Sequence, residues 1–233
     1  MPSTCAVIEP GLADHLTAIL PVGLGIAGGS IADGCEGGYP EEIQAIAMAV
    51  PKRRREFLVG RHYARQALAQ LGCPPGAILF DGKRLPRWPE GYVGSITHSD
   101  RVCAAVVGQV DAFRTMGIDL EPDTPLDPEL RHLICRPDEI QRNQTAAACG
   151  LDVPKLIFVA KEAAFKAYFP ETHTFLEFLD VFVTIDSASG VFVAQLANDD
   201  KPPIAGQRRF EGRFARFDGH LFAAITIARD HSP

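Results

Sequence analysis

Apolar positions recur at helical spacing in two long stretches of the chain and alternate in most of the others. The first helical stretch opens at Pro51 and is predicted to run over residues 51–71, where Gly72 and Pro74-Pro75 close it. The second opens at Pro154 and is predicted to run over 154–169, with Pro170 as its stop. Shorter helices are predicted at 128–134 and 137–148, in a stretch rich in proline and polar residues. Period-two alternation predicts strands at 92–97, 102–107 and 115–120, with His98-Ser99-Asp100 as the turn between the first two. Four more strands are predicted at 181–185, 191–196, 208–216 and 221–228. Residues 1–50 are rich in Gly, Pro and small side chains and read only as short strands and loops.

Helices interspersed with antiparallel-type strands predict an α+β fold. One weak repeat is visible: Val102-Cys-Ala-Ala-Val-Val107 resembles Leu221-Phe-Ala-Ala-Ile-Thr-Ile227, and each closes a segment holding one long helix followed by strands. Duplication of an α+β half would produce this, and so would chance.

The composition excludes several classes. With 233 residues, 46% of them apolar, the chain is long enough for a buried core. No stretch approaches the roughly 18 uncharged apolar residues that would span a bilayer. Residues 1–30 carry no Lys or Arg and include Glu9 and Asp14, so they do not read as a secretory signal. The six cysteines are scattered without a C-x-x-C pair, which suits reduced thiols in a cytoplasmic protein. The net charge of −6 argues against a nucleic-acid partner, even with the basic run Lys52–Arg55, but leaves room for a local basic pocket.

Several charged residues stand where burial makes them costly. On the first helix Phe57, Ala64, Leu68 and Leu71 form the apolar stripe, while Lys52, Arg55, His62, Gln66 and Gln70 face away. Arg53 and Arg61 flank the stripe, either as snorkelling stems or as guanidiniums at the rim of an anion cleft. On the second helix Glu162 shares a face with Phe158, Phe165 and Phe169. Such a carboxylate needs a partner: Lys166 one turn on, or a bound cation. In Met116-Gly-Ile-Asp-Leu-Glu121, alternation sends Ile118 and Leu120 to one face and Asp119 and Glu121 to the other. Two such carboxylates can converge on one ion, and hard oxygen donors favour Mg²⁺, or Mn²⁺, over zinc. A lone loop histidine such as His98 is ordinarily a surface residue.

Taken in order, Val93-Gly-Ser-Ile-Thr-His-Ser99, Gly117-Ile-Asp-Leu-Glu121 and Phe158-Val-Ala-Lys-Glu-Ala-Ala-Phe-Lys166 resemble the three signature blocks of the 4′-phosphopantetheinyl transferases. The likeness is to the monomeric surfactin/enterobactin-synthesis type. Pro51-Lys-Arg-Arg-Arg-Glu-Phe-Leu-Val-Gly-Arg61 and Trp88-Pro89 resemble two further blocks of its enterobactin-like branch. There are departures: Phe158 stands where many members have Trp, Val159 where Ser or Cys is frequent, and Ser99 where Cys is common.

The resemblance implies a pseudo-twofold protein with coenzyme A in the cleft between an N-terminal half, residues 1–112, and a C-terminal half, residues 113–233. It implies Mg²⁺ held by Asp119, Glu121 and Glu162, with Glu162 and Asp119 carrying catalysis. It places Arg53, Arg61, Lys83, His98 and Lys166 on coenzyme A. Thr97 and the turn Phe80, Asp81, Gly82 and Lys83 would line the nucleotide end, and Leu176 the pantetheine path. The implied reaction moves phosphopantetheine from coenzyme A to a serine of an acyl or peptidyl carrier protein and releases 3′,5′-ADP. The rival reading, a non-catalytic module binding coenzyme A or a carrier protein, predicts the loss of a metal carboxylate, and none is missing. The expected docking surface follows the Asp119/Glu121 strand, with Leu126, Leu130, Leu133 and Ile134 beside Arg131 and Arg136. Packing of that face on the protein's own core is the alternative.

Overall fold

The strands assemble into two antiparallel sheets in a computed structural model that describes residues 11–32, 37–147 and 150–229. The smaller sheet has β1 (Gly25–Ser30), β2 (Tyr92–His98) and β3 (Val102–Gln109), in the order β1-β3-β2. The larger has β4 (Phe113–Pro122), β5 (Val181–Asp186), β6 (Val191–Leu196), β7 (Arg209–Phe217) and β8 (His220–Ala228), in the order β4-β8-β7-β6-β5. The α+β class expected from the sequence is the one observed. Cys73, Cys103 and Cys135 are buried free thiols; Cys5, Cys35 and Cys149 lie outside the described residues. No helix among the described residues is long and apolar enough to cross a membrane.

Each long helix lies over an antiparallel strand pair. Helix α3 (Pro51–Gln70) covers β1 and β3, and α7 (Val153–Thr172) covers β4 and β8. The segments of the weak repeat are thus the strand under each helix: Val102–Val107 in β3 and Leu221–Ile227 in β8. A glycine in the other strand permits each close approach. A Cβ on Gly25 would overlap the Ala67 carbonyl oxygen of α3, and one on Gly117 would overlap the Ala163 carbonyl oxygen of α7. The underside of α7 is correspondingly small, with Ala160, Ala163, Ala164 and Ala167 all buried.

Several expectations are corrected. Residues 1–50 contain, besides β1, the helices α1 (Leu12–Ile19) and α2 (Pro40–Ala45). In α1 the apolar residues Leu12, Leu16 and Ile19 do recur at helical spacing, but over only eight residues. Gln70 does not sit free on a solvated face: its amide exchanges hydrogen bonds with the backbone N–H and C=O of Ile26 on β1 (2.8 and 2.7 Å). Helix 137–148 is two helices, α5 (Pro137–Arg142) and α6 (Gln144–Ala147), which follow α4 (Pro128–Ile134). They part at Asn143, whose buried side chain hydrogen-bonds the Val183 carbonyl and the Ile185 N–H on the free edge of β5. Helix α7 runs through Pro170 to Thr172 and ends on His173 in the left-handed region (φ 53°). So near the end, proline removes one backbone bond and leaves the earlier turns intact.

The two sheets meet where β2 crosses β4. The Ser95 hydroxyl accepts the Ile118 N–H and the Thr97 hydroxyl the Leu120 N–H, both at 3.1 Å. These hydroxyls satisfy β4 donors along the edge turned away from β8. Ile118 and Leu120 are fully buried with Leu16, Val106 and Phe222 in a core shared by the two sheets. The opposite side chains of β4, Asp119 and Glu121, point into a cleft.

Candidate functional site

The cleft has a volume of about 1100 Å³ and is walled by α3, β2, the 80–88 loop, β4 and α7. Arg53, Arg61, Phe80, Asp81, Thr97, His98, Asp119, Glu121, Glu162 and Lys166 all line it. Residues from five separate segments therefore converge on one cavity. Three of the residues singled out from the sequence do not line it. Leu176 is buried in the larger core instead of bordering the cavity, and Gly82 lies exposed in its turn. Lys83 sits at the rim, its Nζ 5.9 Å from the centre of the Phe169 ring of α7. The turn is held by the Asp81 carboxylate, which accepts the N–H groups of Lys83 and Leu85 (2.8 and 2.9 Å).

Helix α7 turns Phe165 and Phe169 toward this cavity and its alanines toward the core, while Phe158 packs on the larger core beside Phe178. Glu162, Phe165, Lys166 and Phe169 line the cleft. The face read from the sequence as aromatic and apolar is thus only half-buried, which is how it accommodates Glu162. Lys166 does not neutralise Glu162 directly: its Nζ donates to Asp119 Oδ1 at 2.6 Å. Thr97 donates to the same oxygen at 3.1 Å, and Asp119 Oδ2 is buried without a hydrogen-bond partner. Glu121 Oε2 pairs with Lys155 Nζ at 3.0 Å. Burial, and then the negative charges of Asp119 and Glu121, push the Glu162 carboxyl above its ordinary range, while Lys166 pulls it down. No group of three His, Cys, Asp or Glu side chains stands at metal-ligand spacing among the described residues.

The cationic wall comes mainly from α3. Arg61 is buried, its guanidinium stacked 4.3 Å from the Phe57 ring centre with Nε donating to the Ile78 carbonyl at 2.8 Å. Burial lowers its pKa to about 10, so it stays cationic at neutral pH. Arg53 is exposed, with Nη1 3.1 Å from His98 Nε2 and 3.5 Å from Glu56 Oε2. Arg55 is exposed and does not line the cleft; Arg54 folds back to donate to the Ala47 and Ala49 carbonyls.

Sequence reasoning missed Glu56, Arg84, Arg87 and Arg114, all in the cavity wall. Arg84 adopts φ 66°, a turn conformation that pattern does not reveal, and Arg114 is paired with Glu171 at 2.6 Å across β4 and α7.

A cavity with fixed cations along one wall and carboxylates at its base is the setting that the motif blocks imply. Comparison with known proteins decides the matter. Residues 41–108 match the 4′-phosphopantetheinyl transferase N-terminal domain, and residues 115–215 match the 4′-phosphopantetheinyl transferase superfamily. The chain belongs to the 4′-phosphopantetheinyl transferase superfamily. It is 39% identical to the 4′-phosphopantetheinyl transferase Svp of Streptomyces mobaraensis, over 82% of this chain and 78% of that protein. It is 40% identical to the 4′-phosphopantetheinyl transferase PptT of Mycobacterium tuberculosis, over 81% and 85%. It is 38% identical to the 4′-phosphopantetheinyl transferase Npt of Nocardia iowensis, over 82% and 92%. A phosphopantetheinyl transferase uses coenzyme A and acts on carrier proteins, and this cavity gathers most of the candidate residues singled out from the sequence.

Proposed function

We propose that this protein transfers the 4′-phosphopantetheine of coenzyme A to a serine of an acyl or peptidyl carrier protein, with Mg²⁺ (or Mn²⁺), and releases 3′,5′-ADP. The observation that carries the reading is Asp119: a buried carboxylate with one oxygen unpartnered, facing Glu162 and Glu121 at the base of a cationic cleft. Asp119, Glu121 and Glu162 do not stand together at ligand spacing in this structure, but their chemistry suits a hard divalent cation. All are oxygen donors, one buried oxygen lacks a partner, and burial, with repulsion from Asp119 and Glu121 added to it, raises the Glu162 carboxyl. Asp119, Glu121 and Glu162 would hold the ion, with Lys155 and Lys166 pairing to Glu121 and Asp119 without it. When bound, Mg²⁺ neutralises the pyrophosphate and the charge developing on the leaving oxygen.

The chain's own groups do the rest. Arg53, Arg61, Lys83, His98 and Lys166 bind the phosphates, and Arg61, held by Phe57 and Ile78, is oriented before ligand arrives. Thr97, Phe80 and Asp81 border the nucleotide. Glu162, its carboxyl raised above the ordinary range by burial and by Asp119, is suited to take the proton of the attacking serine, a base role contributing about 10²–10⁴-fold. A non-catalytic module predicts the loss of a metal carboxylate, and Asp119, Glu121 and Glu162 are all present. We also read residues 1–112 and 113–233 as related halves, supported by the matching helix-over-glycine-strand arrangements of α3 and α7.

Mass spectrometry of purified fatty-acid, polyketide and peptide-synthetase carriers, incubated with enzyme, coenzyme A and Mg²⁺, tests the reading. It requires the mass gain of one phosphopantetheine on the carrier serine, lost with EDTA and restored by Mg²⁺. No gain on any carrier class would remove it.

A further inference from the structure

Glu56 is a carboxylate in the wall of an anion-binding cleft, and the reaction as described gives it no part. Its side chain is only 12% exposed, and Oε2 lies 3.5 Å from Arg53 Nη1 and 3.7 Å from His98 Nε2. Left alone, such a charge would oppose a phosphate. The nitrogen it approaches explains it. Arg53 Nη1 is 3.1 Å from the same Nε2, and a guanidinium can only donate, so Nε2 accepts and the imidazole is neutral.

The geometry points to a proton-coupled phosphate clamp. When a coenzyme A phosphate draws Arg53 away, His98 Nε2 loses its donor, takes a proton from solvent and turns that N–H to Glu56. Glu56 is then a positioning residue that stabilises the imidazolium, and coenzyme A binds with uptake of up to one proton. The inference rests on the proposed binding of coenzyme A at this wall. No bond other than N–H is made, and solvent supplies the proton.

The surroundings agree. Burial holds the His98 pKa below its ordinary value in the free protein; Glu56 from α3 raises it, Arg53 from α3 and Lys166 from α7 lower it, and Asp119 from β4 raises it. Asp100, in the turn after β2, and Lys52, at the start of α3, pair with each other at 2.6 Å and largely cancel. His98 is therefore uncharged near pH 7 when free, and a phosphate dianion beside it reverses the balance.

Calorimetry of coenzyme A binding in buffers of different ionisation enthalpy counts the protons. Near pH 7 the native protein is expected to take up about half to one proton more than His98→Asn, which provides the baseline for the ligand's own phosphate titration. Glu56→Gln is expected to lose most of that uptake. It should bind coenzyme A on the order of tenfold more weakly at about pH 6, the effect of one pKa unit. At about pH 8.5, where His98 is neutral in every state, it should bind as well as native or better, since a repelling charge has gone. A purely structural Glu56 would weaken binding equally at both pH values, and that result overturns the proposal. Binding without proton uptake overturns it too, whereas no binding by the native protein rejects the coenzyme A reading itself.

Discussion

Glu162 illustrates how burial and neighbouring like charge are recorded in the energetics of a single ionisable group. Its carboxyl is raised by burial and by Asp119 and Glu121, so in the folded state the proton is held more tightly than in the unfolded chain. The sign follows. A group whose folded pKa is raised contributes stability below its unfolded value, near 4.3, and loses that contribution as pH rises through the folded value. At pH 7 without metal the ionised side chain works against folding. Glu162→Gln is therefore expected to raise the melting temperature by a few degrees at neutral pH in EDTA, with the two proteins converging as pH falls to about 4. The same variant should show no transfer. A lower melting temperature at pH 7 would contradict this account of the carboxylate. Arg53 and Arg55 provide a paired test on α3. Arg53→Ala should weaken coenzyme A binding by one to two decades, the ~1.5–3 kcal/mol of a charge-assisted contact, and Arg55→Ala should leave it unchanged. Equal losses in both, read by calorimetry, would show that cleft position does not matter.

At the scale of elements, the site depends on how closely α7 can approach β4. Gly117 makes that possible, because any Cβ there meets the backbone of Ala163 and Lys166 and not a movable side chain. Gly117→Ala should cost at least about 3 kcal/mol in denaturant unfolding, or prevent folding, since neither the helix nor the strand backbone yields locally. A shift under 1 kcal/mol would mean that the helix slides freely over the strand. Helix α4 separates the two readings of the segment after β4. Leu126 and Ile134 are buried in the core, whereas Leu130 and Leu133 are 44% and 54% exposed, and Leu179 beside them is 42% exposed. Arg136 lies next to them, donating to the Leu179 carbonyl. The core reading holds for two of the four residues, and a docking face remains for Leu130 and Leu133. Leu133→Asp should leave melting temperature and coenzyme A affinity unchanged while slowing carrier modification by about tenfold or more. Joint loss of stability and coenzyme A binding would sink the docking assignment.

Across the whole molecule, the two sheets are joined by side chains and not by a continuous ladder. Ser95 and Thr97 cap β4 from β2, and the Ser99 hydroxyl meets His220 Nε2 of β8 at 3.3 Å, both residues buried. Thr97 serves joint and site together, accepting from Leu120 while donating to Asp119. Thr97→Val keeps the shape but strands the Leu120 N–H and frees Asp119 Oδ1 of one donor. It should cost about 1–3 kcal/mol in stability, and lower activity beyond what the lost folded fraction explains. Unchanged stability in thermal and denaturant unfolding would mean that the sheets are held by the shared core alone.

Much of this protein is legible from its residues. The long helices, the β4 alternation that puts Asp119 and Glu121 on one face, and the motif blocks are local: each depends on spacings of a few residues, where period and side-chain direction are set by backbone geometry. Cleft-lining Arg53 and core Leu126 belong to the other class, since burial on a helix or loop depends on what is opposite. Sequence spacing offered Glu162 either Lys166 or a bound cation; only tertiary structure gave Lys166 to Asp119, 47 residues away, because the ammonium finds a buried carboxylate across the β4–α7 contact that the helix itself does not offer. The same is true of Glu56 and His98, Leu176 in the core, and Asn143 breaking a helix to satisfy β5. Local pattern determines which elements form and which faces carry charge. The pairing of those charges is decided only when distant segments share one low-dielectric space, where an unpaired group is costly and a partner from any part of the chain will serve.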